Sequence, residues 1–186
     1  MRVTILNGNP TPAEGVFGEY LAQFQRALES RGHLVSALIL RDMEITPCVG
    51  CFGCWVRTPG ECVVPDASAE VCRAVIQSDL TVFASPLVMG YVSAVMKKAM
   101  DKLLPLILPY FAVIHHETHH RRRYERYPAL GVLLEAGAGG DQVDVEITER
   151  LFERFAINFH ASLQFVAQVG DPLEEVVDAV ETACRD

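Results

Sequence analysis

Apolar residues in this chain fall into short continuous runs, separated by stretches in which they recur at helical spacing. Val3 to Leu6 is the first run, and it ends in Asn7-Gly8-Asn9-Pro10-Thr11-Pro12, residues that favour turns. Phe17, Tyr20, Leu21, Phe24, Ala27 and Leu28 then mark a helix that stops at Arg31-Gly32. His33 to Leu40 reads as a second buried strand. Ser68 to Ser78 is helical, with Val71, Cys72, Ala74 and Val75 on one face, and Leu80 to Ala84 is a third strand ending in Ser85-Pro86. From about Val92 the spacing predicts a long helix with Val95, Met96, Ala99, Met100 and Leu103 inward. Lys97, Lys98, Asp101 and Lys102 fall largely outward, and Pro105 ends it. Ala129 to Leu134 is a fourth strand running into the glycine-rich turn 136–141. Ile147, Leu151, Phe155 and Phe159 place a helix, Leu163 to Val169 a fifth strand, and Pro172 to Cys184 a last amphipathic helix with Pro172 near its first turn.

Strands that are apolar throughout must be buried on both faces, so five of them alternating with five helices predict an α/β protein with an open, doubly wound, five-stranded parallel sheet. A barrel would need eight such units. In an open sheet of this kind ligands sit beyond the carboxyl ends of the strands. The loops Gly8 to Gly15, Ser85 to Tyr91 and Ala136 to Asp141 are expected to converge there, and all three are rich in Gly, Pro and small residues. The first leads into a helix N-terminus, a ready site for a phosphate. It has neither the G-x-x-x-x-G-K-[ST] nor the G-x-G-x-x-G spacing. It also has no Lys or Arg, so backbone N–H groups with Asn9 or Thr11 would hold the anion.

Composition narrows the classes. A chain of 186 residues, half of them hydrophobic, is expected to form one domain over 1–186 with a sizeable core. A formal net charge of −8 argues against a nucleic-acid partner. No secretory signal opens the chain, and no run of eighteen apolar residues suggests a membrane span. The longest apolar stretch, Leu103 to Ile114, carries Pro105 and Pro109. A cytoplasmic, reducing location is expected, where cysteines serve more often as ligands or catalysts than as disulfides.

Four of the six cysteines lie in fifteen residues, at Cys48, Cys51, Cys54 and Cys62, within a loop over 47–66. The C-x2-C-x2-C run is the spacing that wraps a [4Fe–4S] cube, with Cys62 as a fourth thiolate. Tetrahedral zinc is a second reading, although it favours two separated C-x2-C knuckles. A redox pair, Cys48 with Cys51 or Cys51 with Cys54, is a third. Reduced, unligated thiols are the fourth. The segment 111–128 adds His115, His116, His119 and His120, whose i, i+4 pairs could ligate a metal if the stretch were helical. The preferred reading of that segment is a solvated, positively charged insertion. Trp55 is expected either to stack near a cofactor or to plug the cysteine loop.

Taken in order, Gly8-Asn9-Pro10, the cysteine run with Trp55 and Pro59-Gly60-Glu61-Cys62-Val63-Val64-Pro65-Asp66, Ser85-Pro86-Leu87-Val88-Met89-Gly90, Ala94-x-x-Lys97 and Asp101-Lys102 resemble the flavodoxin-fold NAD(P)H-dependent FMN reductases. Within that group the chain is most similar to the iron-sulfur flavoproteins. The resemblance implies a flavodoxin-like sheet of order 2-1-3-4-5 with FMN held noncovalently at the strand ends. Asn9, Pro10, Thr11, Gly15, Val16 and Phe17 would surround the phosphate, and Pro86, Leu87, Val88, Met89 and Gly90 the ribityl chain and ring. Ala136, Gly137, Gly139 and Gly140 would face the ring's other side. The family commonly has Ser and then Arg where this chain has Asn9 and Thr11, and Tyr at Val88. The resemblance further implies NAD(P)H as electron donor, a small-molecule or protein acceptor and a homo-oligomer, dimer or tetramer. The Arg-Tyr-x-x-Tyr-Pro ending of the 111–128 segment would lie near a subunit contact. No side chain need act as acid or base, because the cofactor carries the chemistry.

Overall fold

The computed structural model describes residues 1–11, 15–136 and 142–182. Five parallel strands form the sheet: β1 (Arg2–Asn7), β2 (Leu34–Ile39), β3 (Leu80–Val88), β7 (Ala129–Glu135) and β8 (Leu163–Gln168), in the order β2-β1-β3-β7-β8. That is the 2-1-3-4-5 order expected from the sequence. The helices α1 (Val16–Ser30) and α6 (Leu173–Thr182) bury Phe17, Phe24, Val177 and Val180 against one face of the sheet. On the other, α3 (Ser68–Gln77), α4 (Ala94–Asp101) and α5 (Gln142–Asn158) bury Val71, Met96, Ala99 and Phe152. A four-residue helix α2 (Gly53–Val56) lies within the cysteine loop.

The structure corrects several expectations in detail. β2 is not buried: it is the sheet's edge, and four of its six residues are exposed. β3 runs four residues past Ala84, through Ser85-Pro86, and turns back into the short antiparallel β4 (Tyr91–Val92). The helix expected from Val92 starts at Ala94, because the Ser93 hydroxyl caps it by accepting from the Met96 N–H at 3.1 Å. It ends at Asp101, and Pro105 sits in a separate 3-10 turn, Leu104–Leu106. In α5 the face toward the core is Val145, Thr148, Phe152 and Ala156, whereas Ile147 and Leu151 are about half exposed, at 48% and 46%.

The segment 111–128 is largely exposed, ten of its eighteen residues facing solvent, and it is regular in structure. It contributes to an antiparallel hairpin, β5 (Ile107–Ile114) with β6 (Glu117–Arg122), turning at His115 and His116, both in the left-handed region. Strand geometry sends neighbouring side chains to opposite faces, so the histidines form no helical i, i+4 metal pair. His119 is buried against Glu117 at 3.0 Å. His120 instead lies between Trp55 and Phe111, with ring centroids 4.9 and 4.8 Å away, and its Nδ1 pairs with the Leu108 carbonyl.

Phe152 is fully buried and meets Phe83 at a centroid distance of 5.4 Å, tying α5 to the sheet. Phe152→Ala opens a cavity between them and is expected to cost about 3–5 kcal/mol, read as a lower urea midpoint with unchanged slope.

Candidate functional site

The carboxyl ends of β1, β3 and β7 are neighbours, since Asn7 pairs with Ala84 and Pro86 with Glu135. The described residues that follow them, Gly8 to Thr11, Met89 with Gly90, and Ala136, therefore leave the sheet at one rim. The Gly8 N–H donates to the Ala84 carbonyl at 2.8 Å, binding the first turn to β3. Gly8 is confined there: a Cβ would stand 2.7 Å from Met96 Cβ, an atom fixed to the helix backbone. Ser93 closes the joint, its hydroxyl donating to the Gly8 carbonyl and its N–H donating to Ser85 Oγ at 2.9 Å. Sequence reasoning assigned neither serine a role. The position of Ser93 just before the periodic run of α4 was the available signal.

Asn9 is 6% exposed, and its Oδ1 accepts from the Thr11 N–H and hydroxyl at 3.1 and 2.8 Å. It shapes the turn and engages both Thr11 donors, so an anion here would be met by the free backbone N–H groups at the start of α1. Gly15, Val16, Pro10 and Thr11 are exposed, while the Phe17 side chain belongs to the core. Gly15 has no side chain to cap the first N–H groups of α1, and no described atom lies within 4 Å of where one would project. Pro86 is half-buried, Leu87 is buried, and Ala136 is exposed at the end of β7. Met89 and Gly90 both have positive φ, 53° and 79°, between the paired Val88 and Tyr91, as a two-residue hairpin of this twist requires. That turn presents Met89 fully exposed and Val88 about half exposed. Gly137, Gly139 and Gly140 lie outside the described residues. A helix N-terminus with no side-chain cap at Gly15 suits a phosphate, and the exposed apolar Val88 and Met89 suit a flat apolar ring.

The cysteine loop is built separately. Phe52 is in the left-handed region, and a Cβ on Gly53 would stand 2.5 Å from Val63 Cγ1, so the turn into α2 is tight. Trp55 resolves to the plug: it stacks on Phe52 at 5.2 Å, donates from Nε1 to the Ile107 carbonyl at 2.9 Å and packs against the core. Cys48 and Cys51 are exposed, Cys54 is buried and Cys62 is between. Burial pushes the Cys54 thiol up, and the charges of Cys62, Cys48 and Cys51 push it further, so the four sulfurs lie within each other's field. Cys48, Cys51 and Cys62 line one cavity of about 320 Å3. Among the described residues no three His, Cys, Asp or Glu side chains meet at one metal position. A single tetrahedral zinc needs such a meeting. A four-iron cube is instead shared out among its thiolates, so this donor set fits a cluster in kind better than it fits zinc.

Cys72, expected in the core, packs against it with its thiol pushed up to about 12, chiefly by burial. Lys102 was expected at the surface and is instead 2% exposed. Its Nζ reaches Asp66 Oδ2 at 3.1 Å, Thr46 Oγ1 at 3.2 Å and Cys62 Sγ at 3.3 Å. Burial pulls the Lys102 pKa down, but hydrogen bonds to Asp66 and Cys62 outweigh it and leave it raised. Burial likewise pushes Asp66 up, and hydrogen bonds from Ser68 and Thr46 hold it well below the usual carboxylate range. Helical periodicity misplaced Lys102 because the helix ends one residue before it.

The two regions stand at opposite ends of α4, separated by roughly 13 Å of helix between Ser93 and Lys102 at 1.5 Å per residue.

With this geometry in place, the comparisons are informative. Residues 1–169 match the model of the NADPH-dependent FMN reductase family, and the chain belongs to that family. An iron-sulfur flavoprotein of Methanocaldococcus jannaschii is 31% identical over 106 residues, 57% of this chain and 53% of that protein. One from Archaeoglobus fulgidus is 36% identical over 80 residues, 43% of this chain and 36% of that protein. The chain thus matches about half the length of the first relative and about a third of the second. Among solved structures, an azoreductase from Bacillus anthracis superposes with a TM-score of 0.66 at 16% identity, covering 100% of this chain and 97% of that one. An FMN-dependent NADH-azoreductase from the same species, in complex with FMN, gives 0.63 at 14% identity, covering 99% and 98%. At those identities the likeness shows the fold. No helix among the described residues is long and apolar enough to cross a membrane.

Lys102→Met strands the Asp66 carboxylate in the interior and is expected to cost about 3–5 kcal/mol of stability at neutral pH. Because the folded pKa of Asp66 is depressed, its contribution is present above the ordinary carboxylate value of 3.8 and is lost as pH falls through the folded value. Urea unfolding at a series of pH values is therefore expected to show the gap between the two proteins closing on the acid side.

Proposed function

We propose that this protein is a flavin-dependent oxidoreductase that holds FMN noncovalently at the rim, takes electrons from NAD(P)H, and delivers them through a [4Fe–4S] cluster to a small-molecule or protein acceptor. The observation that carries the flavin reading is the joint at Gly8, Ser85 and Ser93, which fixes an uncapped helix N-terminus and an exposed apolar lip on one rim. Backbone N–H groups at the start of α1 would hold the phosphate, with the Thr11 hydroxyl turning from Asn9 to join them. Val88 and Met89 would cover the ring, with Pro86 and Ala136 at neighbouring strand ends. FMN when bound accepts a hydride from a nicotinamide and releases electrons singly. The residues around it bind it, orient it and exclude water; none is required as an acid or base.

Cys48, Cys51, Cys54 and Cys62 would hold the cluster. Their spacing, the cavity that three of them line and the names of the two archaeal relatives support this. The competing reading is a zinc or thiol-switch module without catalysis, which the metal and flavin content of the purified protein separates from this one. The reading includes a reducing compartment, in which the thiolates stay available. It also includes self-association, for which the half-exposed Val143, Ile147 and Leu151 on one face of α5 offer a surface.

Anaerobic purification is expected to give a protein with one FMN per chain together with iron and acid-labile sulfide, and Cys51→Ser to lose the iron while keeping the flavin. A colourless protein that takes up no FMN would sink the assignment, and zinc in place of iron would sink its cluster half. Gly8→Ala forces Met96 away from the first turn and is expected to weaken FMN binding about tenfold, measured by quenching of flavin fluorescence.

A further inference from the structure

We propose that Lys102 is a positioning residue of the sulfur centre: it holds Cys62 by an N–H···S hydrogen bond and, with Asp66 on its other side, sets how readily that centre accepts an electron. This rests on the cluster reading above and adds to it a residue and a sign. Lysine is almost never fully buried unless it is paired, and Lys102 is 2% exposed. An ammonium has three N–H donors, and here three acceptors are available to them: the Asp66 carboxylate, the Thr46 hydroxyl oxygen and the Cys62 sulfur.

The acceptors are themselves held. Thr46 donates from its hydroxyl to Asp66 Oδ2 at 2.6 Å and from its N–H at 3.0 Å, and the Ser68 N–H donates to the other carboxylate oxygen at 2.9 Å. The lysine's main chain is fixed as well, by its N–H to Lys98 and Ala99 at the end of α4 and by the Cys72 thiol, which donates to its carbonyl at 3.2 Å. The ammonium therefore has little freedom to move off the sulfur. Lys102 is also the one cationic residue lining the cavity with Cys48, Cys51 and Cys62, whose remaining walls are Thr46, Pro47, Val49 and Val64.

An electron entering a thiolate-bound centre adds negative charge, and a buried cation 3.3 Å from one of its sulfurs favours that charge with little screening. Asp66 opposes it through the same ammonium, and no hydrogen bond among the described residues joins its carboxylate to the sulfur. The pair thus acts as a graded charge: removing the near member disfavours reduction, and removing the far member favours it. A buried ion pair is weak evidence of stability by itself. Hydrogen bonds to the sulfurs and local charge are, in contrast, established levers on such centres.

The test is a redox titration of anaerobically purified holoprotein, with cluster and flavin followed separately by absorbance and by electron paramagnetic resonance. Lys102→Gln is expected to lower the cluster potential and Asp66→Asn to raise it, with the flavin potential unmoved in both. Shifts of the same sign, or none, would overturn the proposal, because loosened packing alone gives no reason for opposite signs. If Lys102→Gln does not fold, Asp66→Asn decides alone: it leaves the ammonium facing an anionic centre, and an upward shift supports the role while an unchanged potential refutes it. Wild-type protein without iron and sulfide would instead defeat the cluster reading, and this inference with it. An intact cluster with unshifted variants would defeat this inference only.

Discussion

A single hydroxyl, that of Ser93, fixes the geometry on which both candidate sites depend. It donates to the Gly8 carbonyl and accepts from the Met96 N–H, so it ends the turn after β1 and begins α4 in one stroke. The Ser93 N–H meanwhile reaches Ser85 in β3, so two central strands and a helix meet within three hydrogen bonds. These groups are buried, where an unmade hydrogen bond costs about 1–3 kcal/mol, so the joint has one satisfied arrangement. The turn after β1 is in this way pinned to β3, the strand that carries the apolar lip at Val88 and Met89.

From that joint α4 acts as a strut. Its first turn belongs to the rim and the residue after its last turn, Lys102, belongs to the sulfur loop, so the spacing of the two regions is a helix length and not a loop conformation. The hairpin of β5 and β6 supports the far end. Trp55 donates to Ile107, Tyr127 donates from its hydroxyl to Leu106, and Arg123 donates to Pro105 at 2.8 Å. The cysteine loop, which has little core of its own, is thus clamped between the end of α4 and a hairpin. A two-stranded hairpin is marginal alone and gains its stability from such packing.

Much of this was legible in the chain. The apolar runs at Val3, Leu80 and Ala129 each became an inner strand, and the run at Leu163 the partly buried edge opposite β2. Residues whose environment is set by distant partners were misread. Leu34 to Ile39 look like a buried strand, but burial depends on having a neighbour on each side, which an edge strand lacks. Lys102 follows the outward face of its helix by period, yet helix termination and Asp66, thirty-six residues earlier, turn it inward. The histidine pairs presupposed a helix where two strands and a turn formed. For the cysteines, spacing singled out the four candidate thiols, while the cavity and the lysine at its wall became visible only in three dimensions.

The central claim is that the start of α1 receives the phosphate of a flavin whose ring lies against the lip. The most direct measurement is a comparison of FMN and riboflavin binding to the flavin-free protein by fluorescence quenching. The account predicts that FMN binds more tightly by at least about tenfold, since only it carries the anion that the helix N-terminus would meet. Equal affinity for the two would contradict it.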